Sequence, residues 1–583
     1  MKNNYFFPII LLGLLLIGCD LDRFPLNGPT TGTFPASEKE AEMGLYAAYK
    51  GLTELDASST HYLHVIDNIT DIGYARPGNN YTSPITSSLT TDNALAIKPW
   101  KSYYKAIARV HTVLDNLENI ESQIQEDKYR QIDAELRMIR AYCYSKLIEQ
   151  YGDVPLVLES LGLDNANVAK TPKQQIQSWI IEELSEIAGY LPVSQSAFGN
   201  VRASSVAAYM LKSRVALYSK QYEVAAVAAA KAIELSKGVH ELTPFDNSIN
   251  YCNQTHEMGE PECSNIFGYE GYQTSKEWIW VAEFNQAIDG NTHNQGYYMA
   301  SRLGKGAAYW GPTQNLIDSY QCLDGLPITE SPLYNENKPF VNRDPRLDMY
   351  CARPGARLMG FQFEINSSFN KVKNYWPVIN GTSSSPSSVS NTDATNAYRS
   401  FSGYYWRKHS DNKDFETNSS RGVSDMNVGI FRYAELLLIY AEAKIEANKI
   451  DQTVYDALNQ IRQRAGMPDL PVGLSQGDLR KALRYERKVE LAADGLRWYD
   501  LRRWNIAPEV MNGYIYLNRA GNSWPLNVVV DFDENHNPIY KHEEAIKYFN
   551  TQEVVFKINK DEYWPIPQQE CDVNPSLVQN PGY

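Results

Sequence analysis

Two carboxylates in the segment ERKVELAADGLRWYDLRR (residues 486–503) have a spacing that acid–base chemistry could use. Glu486 and Glu490 stand four residues apart, which places both on one face of a helix. Glycoside hydrolysis requires such a carboxylate pair, but neighbouring arginines hold carboxylates ionised, which is unsuitable for a general acid. The pattern therefore predicts a structural ion-pair network. The arginines that crowd this stretch are Arg484, Arg487, Arg497, Arg502 and Arg503.

A second acidic group, in DFDENHN (531–537), has the residue types of a calcium site. Asp531, Asp533 and Asn535 follow the spacing of a calcium loop, but His536 stands where the sharp turn needs glycine, and His542 where a bidentate Glu belongs. The segment therefore predicts a hairpin turn between two strands, and we expect no metal site there.

The cysteines predict disulfides more readily than a zinc site. Cys252, His256 and Cys263 offer three ligands at irregular spacing, whereas an exported chain favours a Cys252–Cys263 bridge. Cys322 with Cys351 is a second possible pair. No P-loop or dinucleotide pattern is present, and no serine or cysteine nucleophile can be assigned. We therefore expect no catalytic residue, no metal and no cofactor.

Two loop segments combine flat aromatic rings with amide and arginine side chains, as a sugar-binding surface requires. The C–H faces of a sugar stack on aromatic rings, while its hydroxyls need amide and charged partners. The predicted ligand-binding residues are Tyr74, Arg76, Asn79, Asn80 and Tyr81 in GYARPGNNY (73–81), and Tyr297, Tyr298, Tyr309 and Trp310 in NQGYYMASRLGKGAAYWG (294–311).

Other aromatic residues fit this surface less well. Trp376 and Tyr398 border the low-complexity segment NGTSSSPSSVSNTDATN (380–396) and are further candidates. Trp278 and Trp280 alternate within EWIWVAEF (277–284), which predicts a strand that places both on one side, in the core.

The composition limits the partners of the chain. The 583 residues include 40 Tyr, 18 Phe and 11 Trp, an aromatic content typical of binding surfaces. The formal net charge is −14, which argues against nucleic acid because phosphates require a basic surface.

The N-terminal residues predict export and a lipid anchor. YFFPIILLGLLLIG (5–18) is too short to span a bilayer comfortably and has the length of a signal-peptide core. LIGC (16–19) resembles a bacterial lipobox, which implies cleavage before Cys19 and lipidation of its thiol. Acyl chains would then hold the protein at a membrane.

Helical patterns at both ends of the chain enclose a loop-rich middle. Ser37 and Glu40 form a capping box, and residues 204–236 read as two Ala-rich helices joined at Lys220 and Gln221, the size of a tetratricopeptide repeat. The predicted divisions are a signal peptide (1–18), a lipidated tether (19–36), an N-terminal helical region (37–237), a loop-rich insertion (238–428) and a C-terminal helical region with a packing tail (429–583). Residues 37–583 are expected to form one compact unit.

An ordered set of segments resembles the SusD/RagB family and covers nearly the whole chain. The segments are RAYCYSKLIEQYGDVPLV (140–157), NRDPRLDMY (342–350), FRYAELLLIYAEA (431–443), LNQIRQRAG (458–466), ERKVELAADGLRWYDLRRW (486–504) and the terminal WPIPQQE with NPSLVQNPGY.

The resemblance implies a predominantly α fold. Four helical hairpins similar to tetratricopeptide repeats would support an irregular, loop-built ligand face with a few short strands. The proline-rich terminal segment (561–583) would pack back across these helices, which makes Trp564, Pro565 and Tyr583 structural.

The resemblance also implies a function. Members are outer-membrane lipoproteins of Bacteroidetes that face the cell exterior, bind oligosaccharides and act as a lid on a SusC-like TonB-dependent transporter. The alternatives are a peptide-binding lid of the RagB type, a glycoside hydrolase, or a scaffold without a ligand.

Overall fold

The computed structural model describes residues 34–53, 61–77, 81–195, 199–245, 264–287, 291–411, 414, 423–518 and 528–583. Five residues with a predicted role lie outside these ranges. The lipidation of Cys19, the ligand contacts of Asn79 and Asn80, and the Cys252–Cys263 disulfide therefore stay predictions.

Long helices dominate the part of the chain that the structure describes. They are α1 (Glu38–Lys50), α2 (Ala94–Leu117), α3 (Glu126–Tyr151), α4 (Lys173–Ile187), α5 (Ser205–Tyr218), α6 (Tyr222–Ser236), α7 (Tyr433–Glu446), α8 (Gln452–Arg464) and α9 (Gln476–Glu490). None of the described helices is both long and apolar enough to cross a membrane.

Local side-chain caps explain where some of these helices begin. The Ser37 hydroxyl accepts from the Glu40 N–H, and the Glu40 carboxylate accepts from the Ala36 N–H at 2.8 Å, so the predicted capping box forms with a one-residue shift. Ser475 caps α9 in the same way by accepting from the Asp478 N–H at 3.1 Å.

The short helices are mostly single turns between longer elements. Two are 3₁₀ helices, Ile66–Ile69 and Glu118–Gln123. The others are Tyr62–Val65, Thr82–Ile85, Ser264–Phe267, Tyr269–Thr274, Gln295–Met299, Gln314–Ser319, Arg346–Tyr350, Trp376–Ile379, Thr392–Thr395, Arg497–Arg503, Ala507–Val510, His542–Ala545 and Gln568–Val573.

The strands are short and pair antiparallel in small sheets. The pairs are β1 (Gly73–Ala75) with β5 (Trp310–Pro312), β2 (Val154–Pro155) with β3 (Lys170–Thr171), β4 (Trp278–Ala282) with β12 (Val428–Arg432), β6 (Cys351–Ala352) with β11 (Tyr405–Trp406), β13 (Gly513–Asn518) with β16 (Phe549–Val554), and β14 (Val529–Phe532) with β15 (Pro538–Tyr540). A four-stranded sheet has the order β10 (Ser387–Ser390), β9 (Lys371–Asn374), β8 (Phe361–Gln362), β7 (Arg357–Leu358).

The long helices form a continuous array: from α1 to α8 each packs against the next along the chain, and α9 packs against α7. The array passes from α6 directly to α7, although 196 residues (237–432) separate them in sequence. The loop-rich middle is therefore an insertion between two neighbouring helices. These features confirm the predicted mainly helical fold.

The terminal segment (561–583) lies across this helical array, as predicted. The Trp564 backbone N–H donates to the Gln150 carbonyl at 2.9 Å, and the Asn580 side chain donates to the Tyr151 carbonyl at 2.7 Å. The Trp564 ring meets Tyr62 and Trp498 edge-on, each at 5.7 Å between centroids. Trp564 and Pro565 are buried, and Tyr583 is half-buried.

The second disulfide prediction is wrong. Cys322 and Cys351 are both free thiols. Cys322 lies in a small apolar cluster with Ile328 and Val529, whereas Cys351 belongs to the main core. The two side chains are therefore buried in different hydrophobic clusters.

Candidate ligand-binding site

A two-stranded ribbon joins the two loop segments that the sequence predicts to bind ligand. β1 and β5 pair antiparallel, with Tyr74 opposite Gly311 and Ala75 opposite Trp310. The Arg76 N–H extends the ladder by donating to the Tyr309 carbonyl at 2.9 Å. Backbone hydrogen bonds thus fix the relative positions of segments that are more than 200 residues apart.

Glycine allows this ribbon to lie close to a third segment. A Cβ on Gly311 would stand 2.5 Å from the Tyr404 carbonyl oxygen and 2.6 Å from the Ser402 hydroxyl. Real Cβ atoms do not approach other atoms so closely, so only glycine fits between β5 and residues 402–404.

The loop before β5 folds back onto the short helix Gln295–Met299. The Ala307 N–H donates to the Tyr297 carbonyl at 2.7 Å, and the Tyr309 N–H donates to the Tyr298 carbonyl at 3.0 Å. These bonds place the rings of the three tyrosines side by side: Tyr298 lies 5.5 Å from Tyr297 and 5.2 Å from Tyr309.

Three of the predicted aromatic residues form the buried floor of this cluster. Tyr74, Tyr81 and Trp310 are all at most 4% exposed. Trp310 stacks on Tyr298 at 5.1 Å and meets Tyr81 edge-on at 5.7 Å. Burial raises the pKa of Tyr74, with Arg76 opposing the shift, so its phenol stays neutral. The predicted ligand contact is therefore restricted to the more exposed residues, because Tyr74, Tyr81 and Trp310 are buried beneath them.

The four other described residues of the predicted set lie together with Tyr398 in a surface that we call the aromatic face. It is defined as Arg76, Tyr297, Tyr298, Tyr309 and Tyr398. The Arg76 guanidinium lies between two rings, 3.9 Å from the centroid of Tyr309 and 5.2 Å from that of Tyr398. It also donates to the Ala307 and Tyr398 carbonyls at 3.0 and 3.3 Å. Tyr398 is 61% exposed and Tyr297 37% exposed.

From sequence, Tyr398 and Trp376 are equal further candidates for ligand contact, but the structure separates them: Tyr398 is exposed and Trp376 is buried. Tyr398 comes from a third segment, and the sequence offers no signal that would bring it to Arg76. Trp376 is buried, and its indole N–H donates to the Met359 carbonyl at 3.1 Å. Trp278 and Trp280 lie in the core, as predicted.

The paired glutamates form the predicted ion-pair network rather than an open acid pair. Both Glu486 and Glu490 are fully buried. Glu486 accepts from Arg346 at 2.8 Å and from Arg462 at 2.5 Å. Glu490 accepts from Arg432 at 2.7 Å and also from Arg464.

The electrostatics of this network keep Glu490 ionised. Burial by itself would raise the pKa of Glu490, but the charges of Arg464, Arg432 and Arg346 outweigh burial and hold the pKa well below its usual range. The arginines of the same stretch have other partners: Arg487 pairs with Asp500, and Arg503 with Glu442 and Asp500.

The acidic loop 531–537 forms the predicted hairpin turn between β14 and β15. The Asp533 carboxylate accepts from the Asn535 and Asn537 N–H groups, each at 2.8 Å. His536 adopts a positive φ of 58° at the turn. Across the described ranges, no three His, Cys, Asp or Glu side chains are grouped so that they could hold a metal ion.

Two family models match the chain. A model described as the SusD family matches residues 276–583, and a model described as starch-binding associating with outer membrane matches residues 43–217. Among curated proteins, SusD-like protein P38 of Formosa agariphila is 22% identical over 540 residues, which cover 90% of this chain and 96% of that protein. SusD-like protein P25 of the same organism is 23% identical over an alignment of 592 positions, which covers 94% of this chain and 93% of that protein.

Solved structures give the same result. A SusD-like carbohydrate binding protein from Bacteroides fragilis superposes with a TM-score of 0.75 at 25% identity, over 94% of this chain and 100% of that one. A structure described as a laminarin binding SusD-like protein has a TM-score of 0.61 at 20% identity, over 94% of this chain and 100% of that one. The SusD-family model spans more than half of the chain, and the fold agrees. The chain belongs to the SusD family.

Proposed function

We propose that this protein binds oligosaccharides on the aromatic face and delivers them to a SusC-like TonB-dependent transporter in the outer membrane. Lipidated Cys19 would anchor it to the membrane, facing the cell exterior. In this proposal the protein breaks no bond, and its task is to capture ligand and hold it near the transporter, where the local concentration rises.

The observation that carries the proposal is the arrangement of Arg76 between Tyr309 and Tyr398. Flat, partly exposed rings suit the C–H surface of a sugar, and the guanidinium that lies between them suits its hydroxyls. The buried Tyr81 and Trp310 beneath support rigid placement of the rings, which reduces the entropy lost on binding.

The comparisons support the ligand class and the location. The descriptions of matched proteins include carbohydrate binding and laminarin binding, and one family model is described by starch binding and association with the outer membrane. We extend these properties to this chain as part of the proposal. Delivery to a transporter rests on the family resemblance.

The test is isothermal titration of the full mature protein with a panel of soluble glycans and a panel of peptides. We expect saturable binding of at least one glycan and none of the peptides. Peptide binding with no glycan response would overturn the proposal in favour of a peptide-binding lid. New reducing ends after incubation with a polysaccharide would contradict the non-enzymatic role.

The location is tested by Tyr398→Ala, with Tyr190→Ala as a matched control. Tyr190 is also an exposed tyrosine, 47% exposed, with Arg130 over its ring at 5.1 Å, but it lies outside the aromatic face. Tyr398→Ala should weaken glycan binding by about 1 kcal/mol, roughly fivefold, and Tyr190→Ala should leave it unchanged.

A further inference from the structure

A cavity of about 390 Å³ lies between the helical array and the terminal segment. Its walls come from the end of α3, the start of α4, the joint between α5 and α6, the helix Arg497–Arg503 and residues 556–563. The volume is in the range of small-molecule sites. The cavity shares no residue with the aromatic face, and nothing in the proposed glycan function uses it.

The cavity walls carry more cations than carboxylates, although the chain as a whole has a net charge of −14: Lys173, Lys220, Arg502 and Arg503 stand against Glu149 and Glu562. Two of these cations are neutralised: Lys173 pairs with Glu149 at 3.0 Å, and Arg503 pairs with Glu442 at 2.5 Å. Lys220 and Arg502 have no carboxylate within ion-pair distance in the described part of the chain. Lys220 and Arg502 therefore face one remaining wall carboxylate, Glu562, and the walls keep a net positive charge.

Arg502 is the stronger of these two features. Its guanidinium stacks on Trp498 at 3.4 Å from the ring centroid, and one nitrogen donates to the Glu149 carbonyl at 3.4 Å. Its Nε and Nη2 are enclosed and have no hydrogen-bond partner among the described residues. Burial lowers the pKa of Arg502 to about 10. The side chains of Tyr563 and Glu149 oppose this lowering of the pKa, but Arg502 has no direct ion pair among the described residues, so a bound anion would stabilise its charge.

Aromatic rings form the other walls of the cavity. They belong to Tyr218, Tyr499, Phe556 and Tyr563. The Tyr218 hydroxyl is buried and has no hydrogen-bond partner within the described ranges. The cavity thus combines apolar ring surface with a net positive charge from its walls. This combination suits a ligand that carries a negative group on an apolar body.

We propose that this cavity binds a small organic acid, with its carboxylate beside Arg502 and Lys220 and its apolar body against the tyrosine and phenylalanine rings. Carboxylate and guanidinium form strong charge-assisted hydrogen bonds, and a carboxylate is small enough for the space. The site is independent of glycan capture, so either proposal can fail without the other.

The test uses 4-fluorobenzoate as the probe and ¹⁹F NMR line broadening of the full mature protein as the readout. We expect saturable binding that weakens as NaCl is added, because the attraction is electrostatic. The neutral analogue 4-fluorobenzamide should bind at least about tenfold more weakly. Equal binding of the acid and the amide, or no saturable binding of the acid up to about 20 mM, would overturn the proposal.

Charge reversal locates the site. Lys220 is exposed, so Lys220→Glu should fold and should weaken 4-fluorobenzoate binding about tenfold, whereas the exposed Lys237→Glu at the end of α6 should change it less than about twofold. Arg502→Gln, if it folds, should abolish binding. Unchanged binding in Lys220→Glu would contradict the site, as would loss of binding in the aromatic-face variant Tyr309→Ala with Tyr398→Ala.

Discussion

At the scale of single residues, environment decides what Glu486 and Glu490 can do. The arginines that crowd them in sequence, rather than their spacing on α9, allow the role of a structural ion pair to be predicted. The partners of the two glutamates cannot be predicted, because Arg346, Arg432 and Arg464 come from segments that meet α9 only in the folded chain. Arginines distant in sequence pair with the two glutamates, whereas the neighbouring Arg487 and Arg503 pair with other carboxylates.

The first prediction at this scale concerns the stability of the network. Glu490→Gln breaks the buried ion pairs with Arg432 and Arg464, and leaves Glu277 as the carboxylate that these two arginines share. We expect the free energy of unfolding to fall by about 3–5 kcal/mol in urea denaturation. Glu234→Gln, which breaks the exposed pair with Lys231, should have little effect. A similar stability for Glu490→Gln and wild type would contradict the account.

The second residue-scale prediction concerns Arg76. Arg76→Ala removes the guanidinium that lies over Tyr309 and contacts Tyr398, so we expect glycan affinity to fall about tenfold in isothermal titration. Arg130→Ala removes a comparable arginine from the Tyr190 ring and serves as the control. Equal affinity in the two variants would show that the cation between the rings is not used.

At the scale of elements, the β1–β5 ribbon is what turns two aromatic loops into one surface. Both loops can be predicted from composition, because tyrosine, tryptophan and amide residues concentrate there. Their pairing cannot, since β1 and β5 have three residues each and lie far apart in sequence. Short strands carry too little pattern to specify a partner. Because the strands are so short, their alternation also does not predict which aromatic rings are buried and which are exposed.

The prediction for this element uses Gly311→Ala. A Cβ at this position would collide with the Tyr404 carbonyl and push β5 away from residues 402–404. We expect weaker glycan binding and a lower melting temperature, measured by titration and calorimetry. Gly189→Ala is the control, because a Cβ on Gly189 meets nothing within 4 Å. Normal binding by a stable Gly311→Ala protein would contradict the proposed role of the ribbon.

The terminal segment is the second element whose role can be tested. Its prolines and aromatic residues predict a packed strap, and the structure confirms this packing. Trp564→Ala should leave a cavity against Tyr62 and Trp498 and lower the free energy of unfolding by about 3–5 kcal/mol. Val573→Ala, in the same segment but 75% exposed, should be nearly neutral. A stable, ligand-competent protein lacking residues 561–583 would show that the segment is dispensable.

At the scale of the whole molecule, a helical array supports a large insertion. The helical ends and the loop-rich middle can be predicted from sequence, because the helical periodicity of apolar residues is strong at the ends and weak in the middle. The direct contact of α6 with α7 is not visible, because it depends on how the helices stack. The array holds the insertion at both of its ends, and the pairing of β1 with β5 joins the insertion to the segment that carries Arg76.

The pH dependence of stability is a property of the whole chain. Burial would raise the pKa values of Glu490 and Asp494, but arginine and lysine neighbours outweigh it and hold both well below their usual range. Their stabilising contribution is therefore complete above the unfolded pKa near 4 and is lost as the pH falls further. We expect the free energy of unfolding to decline below about pH 4.5, with a shallower decline in Glu490→Gln. Equal slopes of the free energy of unfolding against pH in wild type and Glu490→Gln would contradict the role assigned to Glu490.

The central claim is that the aromatic face captures glycan. Its most direct test is titration of the double variant Tyr309→Ala with Tyr398→Ala against the glycan that binds wild type most tightly. We expect the variant to lose at least about tenfold in affinity while its melting temperature stays near that of wild type. Wild-type affinity in a folded double variant would contradict the claim.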